Sequence, residues 1–214
     1  MKARTSLIEF SAPLVSDTSA AINLIGTGCA SAIIRALPVR MVATDAVPAE
    51  LELGRVRGRK DADQFNELVA AGLVEIVQLG EVGTNYFESL VVGAAADTLD
   101  DGEAATIAYA LEHNGTALID EKKASRLCAG RFPGLGIGST ADILLHPEIL
   151  RQLGADALAE AVFNALHNAR MKVFPQFLDE IVRLIGPERA AMCQSLPRLV
   201  REGNISGPPA EPRR

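Results

Sequence analysis

The stretch LDDGEAATIAYALEHNGTALIDE, residues 99–121, limits what this chain can fold into more than any other part of it. It opens with an acidic turn, runs on as about three turns of helix, and breaks at Asn114-Gly115. The apolar run 116–119 then reads as a short buried strand that delivers Asp120 and Glu121 at its carboxyl end. A helix that begins with acids, followed by a strand that ends in acids, brings carboxylates from both elements to one edge of a parallel sheet. That edge is where open α/β sheets place their sites. The stretch is therefore read as half of a carboxylate cluster for a divalent cation, with the rest of the chain supplying the other half.

The composition is consistent with such a sheet. Hydrophobic residues make up 48% of the 214, aromatics only 4%, and Trp is absent. The core must then be built from Ala, Val, Ile and Leu, which suits helices covering a buried parallel sheet. The length fits one domain with an appendage or two small domains. A net charge of −6 does not announce a nucleic-acid binder. The sum misleads, however, where carboxylates are concentrated in a metal site and the cations cluster elsewhere. Cys29, Cys128 and Cys193 form neither a CxxC pattern nor a disulfide framework, so a reducing, cytoplasmic location is expected. No apolar run reaches signal-peptide or membrane-crossing length, and no membrane partner is expected.

Taken in order, residues 1–11 read as a leading strand or an arm. Residues 12–16 read as a first strand that ends at Asp17-Thr18-Ser19. Helix follows over 20–25 and 29–37, interrupted at Gly26-Thr27-Gly28 and ended by Pro38. A second strand spans 39–43, and Thr44-Asp45 starts a helix that carries Glu50 and Glu52 and stops at Gly54. Residues 61–72 are amphipathic helix, 73–79 alternate like a strand exposed on one side, and 85–95 lean towards helix. Beyond the central stretch come a short helix at 122–129 and a Gly/Pro-rich connection with one last short strand. Ser139 to Asp142 looks like a capping box. From Pro147 to Arg201 almost everything reads as helix, broken near Gly154, Pro175 and Gly186-Pro187. Alternating strands and helices imply right-handed crossovers and a mostly parallel sheet.

Four acids stand out: Asp17 after the first strand, Glu50 in the helix after the second, Glu103 at the head of the long helix, and Asp120 after the central strand. Each alone has a plainer use. Asp17 and Asp120 can cap the helices that follow them, Glu103 with Asp101 suits a helix first turn, and Glu50 suits a solvated helix face. Crowded together they would repel one another and take up protons unless a cation shared the site. Mg²⁺ or Mn²⁺ fits such oxygen ligands. His113, His146 and His167 are isolated and form no competing pattern.

The motifs D-T-S after the first strand, V-P-A-E-L after the second, D-G-E-A-A-T-I-A-Y-A, and A-L-I-D-E-K-K-A resemble those of PIN-domain proteins. The likeness is greatest to the branch whose third acid sits in a Gly-Glu motif. It implies a three-layer α/β/α fold with a central mostly parallel sheet, here with additional C-terminal helices. It also implies a Mg²⁺- or Mn²⁺-dependent endoribonuclease, with an RNA substrate, and in many relatives a toxin held by a cognate antitoxin in VapBC-type pairs. By this resemblance Asp17, Glu50, Glu103 and Asp120 take the four acidic positions, with Asp17, Glu103 and Asp120 on metal. Ser139 or Thr140 provides the hydroxyl of the nearby turn. Glu52, Asp101, Glu121 or Asp142 could stand in for a neighbour. The chain divides on this reading into a PIN-like nuclease domain over 1–145, a helical extension packed on it over 146–202, and a disordered tail over 203–214.

The basic run Arg55, Arg57, Arg59 and Lys60, and the pair Lys122 and Lys123, are candidate RNA contacts, although charge runs are commonly solvated loops. The apolar side of the C-terminal helices is first a packing face, and second a groove for an antitoxin segment or a homo-oligomer face. Two other readings remain at this point. One is a PIN-like module that binds RNA or protein without catalysis. The other is a receiver-like domain phosphorylated on an Asp.

Overall fold

The computed structural model describes residues 13–56, 58–94 and 98–203. The leading segment, Arg57 and the tail beyond Gly203 lie outside the described residues. Five short strands, β1 (Leu14–Ser16), β2 (Met41–Thr44), β3 (Val74–Val77), β4 (Thr116–Leu118) and β5 (Gly136–Gly138), form one sheet in the order β3-β2-β1-β4-β5. Every pairing is parallel, with Val15 opposite Val42 on one side and Ala117 on the other. The central strands β1, β2 and β4 are buried at every residue because both faces of the sheet are covered. Side chains alternate between the two faces. Leu14, Met41, Ala43 and Leu118 join one core, while Val15, Val42, Ala117 and Ile119 join the other.

The first core is covered by α1 (Thr18–Gly26), α2 (Ala30–Ala36), α3 (Ala46–Val56) and α4 (Asp61–Ala70). The second is covered by α5 (Glu81–Val91), α6 (Asp101–His113) and α7 (Lys122–Arg131). The chain then returns to the first face with α8 (Thr140–Leu144), α9 (Pro147–Leu153), α10 (Ala155–His167), α11 (Leu178–Ile185), α12 (Pro187–Met192) and α13 (Arg198–Arg201). The result is the three-layer α/β/α arrangement. Leu158, Val162 and Leu166 of α10 share a core with Leu24 of α1, so the carboxyl-terminal helices are continuous with the sheet's own packing. No single described helix is long and apolar enough to cross a membrane.

Two of the element boundaries that differ from the sequence reading have a clear physical cause. Helix α3 does not stop at Gly54 but continues to Val56, and the left-handed turn comes at Gly58, whose φ is 83°. Helix α5 begins at Glu81 rather than near residue 85. Its cap residue Gly80 offers no side chain. Its backbone N–H instead donates to Glu112 Oε2, 3.0 Å away on α6, a tertiary contact that local sequence does not reveal.

Candidate active site at the sheet's switch point

From β1 the chain builds outward through β2 and β3, then crosses to the other side of β1 to add β4 and β5. The crevice above the carboxyl ends of β1 and β4 is thus the topological switch point of an open parallel sheet. Asp17 follows β1 directly, and Asp120 stands two residues beyond β4. Helix α6 packs on β1 and brings its first turn, with Glu103, near enough to Asp17 for the two charges to interact.

Asp17 is the N-cap of α1, and its Oδ1 accepts the Ala20 N–H at 2.6 Å. Capping and a cation site do not compete here. The cap fixes the carboxylate while Oδ2 takes no hydrogen bond among the described residues. Asp120 does not cap the helix that follows it. Its Oδ1 accepts the Thr140 N–H at 2.9 Å, and its Oδ2 accepts from the Thr140 hydroxyl at 2.5 Å and from Asn23 Nδ2 at 2.7 Å. Three donors occupy most of its lone-pair positions and lock its orientation. At α6 the cap is Asp100, whose side chain accepts the Glu103 N–H at 2.9 Å, while the Asp100 backbone N–H favours the charged form of the Glu103 carboxylate.

The electrostatics show the strain of this crowding. Burial, reinforced by the charges of Asp120, Glu103 and Asp100, holds the Asp17 carboxyl well above the ordinary carboxylate range, against the pull of the Ala20 N–H. Burial also raises Asp120, even though its Thr140 and Asn23 hydrogen bonds favour the charged form. Glu103 is pushed up to about 7 by burial and by the nearby Asp100 and Glu121, with Lys123 opposing. Carboxylates this reluctant to ionise are buried with too little positive charge to offset that burial, Lys123 being the cation that acts on Glu103.

Glu50 enters from α3 by a different route. A Cβ on Gly102 would lie 2.3 Å from Glu50 Oε1, so the Gly of the Gly-Glu pair is the space that Glu50 occupies. This brings Glu50 against the residue before Glu103. Of the other acids, Glu52 lies at 3.3 Å from Arg55 and Glu121 is paired with Lys172. Asp101 is exposed. Asp142 completes the capping box with Ser139, its Oδ2 accepting the Ser139 N–H at 2.8 Å and hydroxyl at 2.6 Å. Its Oδ1 is buried with no partner among the described residues.

Sequence reasoning missed Asn23. Its signal was present, since an amide in the apolar run AAINLIG must find a buried partner or be costly. Among the basic candidates, Arg55 pairs with Glu52 and Asp63 at the exposed end of α3, and Lys122 and Lys123 are exposed at the start of α7. Arg57 lies outside the described residues.

Sheet order, crevice and acids define the class, an open α/β fold with a carboxylate cluster at its switch point. A family model described as DUF3368, a PIN domain, matches residues 13–187, and the chain belongs to the PIN-domain family. No curated protein and no solved structure matched the chain. The matched region runs past α8 to take in α9, α10 and α11. PIN domains are in general nucleases and typically use divalent metals.

The residues present suit such an ion. The donors are all hard carboxylate oxygens, Asp17 keeps an unused oxygen, Asp142 holds a buried oxygen without a partner, and the acids repel one another. Among the described residues no three His, Cys, Asp or Glu side chains form an assembled ligand set. Mg²⁺ does not require one, since it keeps several waters and binds through one or two carboxylates.

Proposed function

We propose that this protein is a Mg²⁺- or Mn²⁺-dependent endoribonuclease, with Asp17, Glu103 and Asp120 holding the ion. The observation that carries the reading is the gathering of acids at the switch point, where burial first and the charges of Asp120 and Glu103 second raise Asp17. A divalent ion there would polarise a phosphodiester and ease deprotonation of an attacking water. The chain's own groups do the positioning. The α1 cap holds Asp17 at the head of its helix. Asn23 and Thr140 hold Asp120 in one rotamer, so that its remaining lone pair faces a fixed direction. Glu50, seated against Gly102, either binds a second ion or orients the attacking water.

The role of toxin, with a cognate antitoxin as partner, cytoplasmic location and assembly as a homo-oligomer complete the proposal. Mn²⁺ titration calorimetry tests the site. Wild-type protein should take up Mn²⁺ with a heat that Asp17→Asn and Asp120→Asn abolish, and unchanged heats in both variants would remove the mechanism. One observation favours a second reading. The lack of an assembled ligand set among the described residues suits a PIN module that binds RNA or protein without cutting, which would give no Mn²⁺ heat at all.

A further inference from the structure

A cavity of about 200 Å³ borders Asp120, with Arg59, Arg170 and Lys172 on its wall. A larger one, of about 680 Å³, lies away from the acids and shares no residue with it. It opens between α2 on one side and α9 and α10 on the other, over the Thr27-Gly28-Cys29 turn that joins α1 to α2. Its volume is that of a small-molecule pocket. The sequence explains the hollow. Ala32 and Ala36 of α2 stand one turn apart on one wall, and Ala157 and Ala161 of α10 do the same on the other. On each wall the first alanine is exposed at the rim and the second is buried inside, so the space runs inward between methyl groups.

Two charged residues reach the wall, and the fold answers one of them. Glu160 pairs with Arg189 of α12 at 2.9 Å. Arg35, in the last turn of α2, is exposed and forms no ion pair among the described residues. The amides are engaged as well. Gln152 donates to Glu148 Oε1 at 3.1 Å, and Asn164 donates to the Thr27 carbonyl at 3.4 Å. What the wall leaves uncommitted is one positive charge beside apolar methyl groups. A guanidinium takes a carboxylate through two parallel hydrogen bonds. No aromatic ring lines the cavity, so a flat base finds nothing to stack on, whereas an aliphatic chain finds close contacts.

We propose that this cavity binds a small aliphatic carboxylate, its head on Arg35 and its chain between the alanines of α2 and α10. The site goes beyond the nuclease reading and stands apart from it, since none of its residues belongs to the acid crevice. A ligand there bridges α2 to α10. Because it binds only the folded chain, it stabilises the protein by mass action.

The test uses the full chain in EDTA, with anilinonaphthalene sulfonate as fluorescent reporter and decanoate as ligand. Wild type should bind the reporter saturably, and decanoate should displace it. Decylammonium, with the same chain and the opposite charge, should not. Arg35→Gln should weaken decanoate about tenfold, the loss of one charge-assisted contact. Ala157→Trp should abolish its binding by filling the space from the rim. Both positions are exposed, so melting curves like that of wild type show that lost binding is not lost folding. A local readout comes from Cys29 on the cavity wall, which is half-buried while Cys128 and Cys193 are buried. Saturating decanoate should slow its labelling by iodoacetamide severalfold. Decanoate that fails to bind wild type overturns the site, as does displacement by decylammonium equal to that by decanoate. Affinity unchanged in both variants, or labelling of Cys29 at the same rate with and without decanoate, overturns it too, whether or not the protein cuts RNA.

Discussion

Among the described residues two places seat a glutamate against glycine, and the acids around the two places differ. Glu112 lies over Gly80 and Gly83, where a Cβ would come within 2.5 Å of its oxygens. The Gly80 N–H donates to it at 3.0 Å, and with the neighbouring amides of α5 holds its carboxyl below the usual range. That acid is neutralised by the fold's own donors and serves as a cap. Glu50 lies over Gly102 at the head of α6, beside acids that receive the reverse treatment. Asp17, Glu103 and Asp120 are all raised, with burial the largest cause at each and like charge adding to it. A carboxylate that the fold compensates is part of the fold. A group of carboxylates whose donors do not offset their burial and like charge is suited to a positive charge from outside.

Exchanging charge for amide at the two places should therefore have opposite results. Asp17→Asn or Asp120→Asn should lower RNA cleavage by at least about a hundredfold, since a lost ion ligand removes several kcal/mol of transition-state stabilisation. Thermal unfolding of metal-free Asp17→Asn should be as good as wild type or better, because an amide oxygen keeps the Ala20 cap. Asp120→Asn instead gives up part of its hydrogen bonding and should melt lower. Removing the donors that orient Asp120 should act less strongly. Asn23→Ala and Thr140→Val should each cost about 10–100-fold in Mn²⁺ affinity or activity, measured by calorimetry and initial rates.

Gly102→Ala sharpens the contrast further. The three atoms nearest the new methyl are the carboxylate end of Glu50, so Glu50 can swing aside and the fold should lose little. Activity should fall severalfold while the melting temperature holds. Glu112→Gln should do the reverse, leaving cleavage unchanged and lowering stability by about 1 kcal/mol through a weakened cap, as read by denaturant titration.

The smallest effect is on pH. Glu103 titrates near 4.5 when unfolded and near 7 in the fold, so the folded state binds the proton more tightly between those values. Stability of the metal-free protein should fall as pH rises from about 4.5 to 7 and level off above, because the unfolded state has already released the proton the native state still holds. Saturating Mn²⁺ or the Glu103→Gln substitution should flatten that slope.

How much of this could be read along the chain depends on where the partner of each group lies. Asp17, Glu103 and Asp120 announce themselves through local pattern, each at a strand end or a helix start, and a parallel sheet brings such positions together. The capping box of Ser139 and Asp142 is local as well. Asn23 was visible only as a polar residue with no reason to be buried, because its partner Asp120 lies 97 residues away. The start of α5 was hidden for the same cause, its missing cap being supplied by Glu112 from α6. Arg170 and Lys172 were hidden most deeply. Their position beside Asp120 depends on Ala169 packing into the space left by Gly26, and nothing in the residues around them signals that contact.

The central claim is that the switch-point acids form an ion site that cuts RNA. The direct measurement is incubation of the purified protein with single-stranded and structured RNA in Mn²⁺, Mg²⁺ or EDTA, beside Asp120→Asn. Cleavage that requires the metal and is lost in the variant is the predicted result. Cleavage that survives EDTA, or survives in Asp120→Asn, would contradict the account.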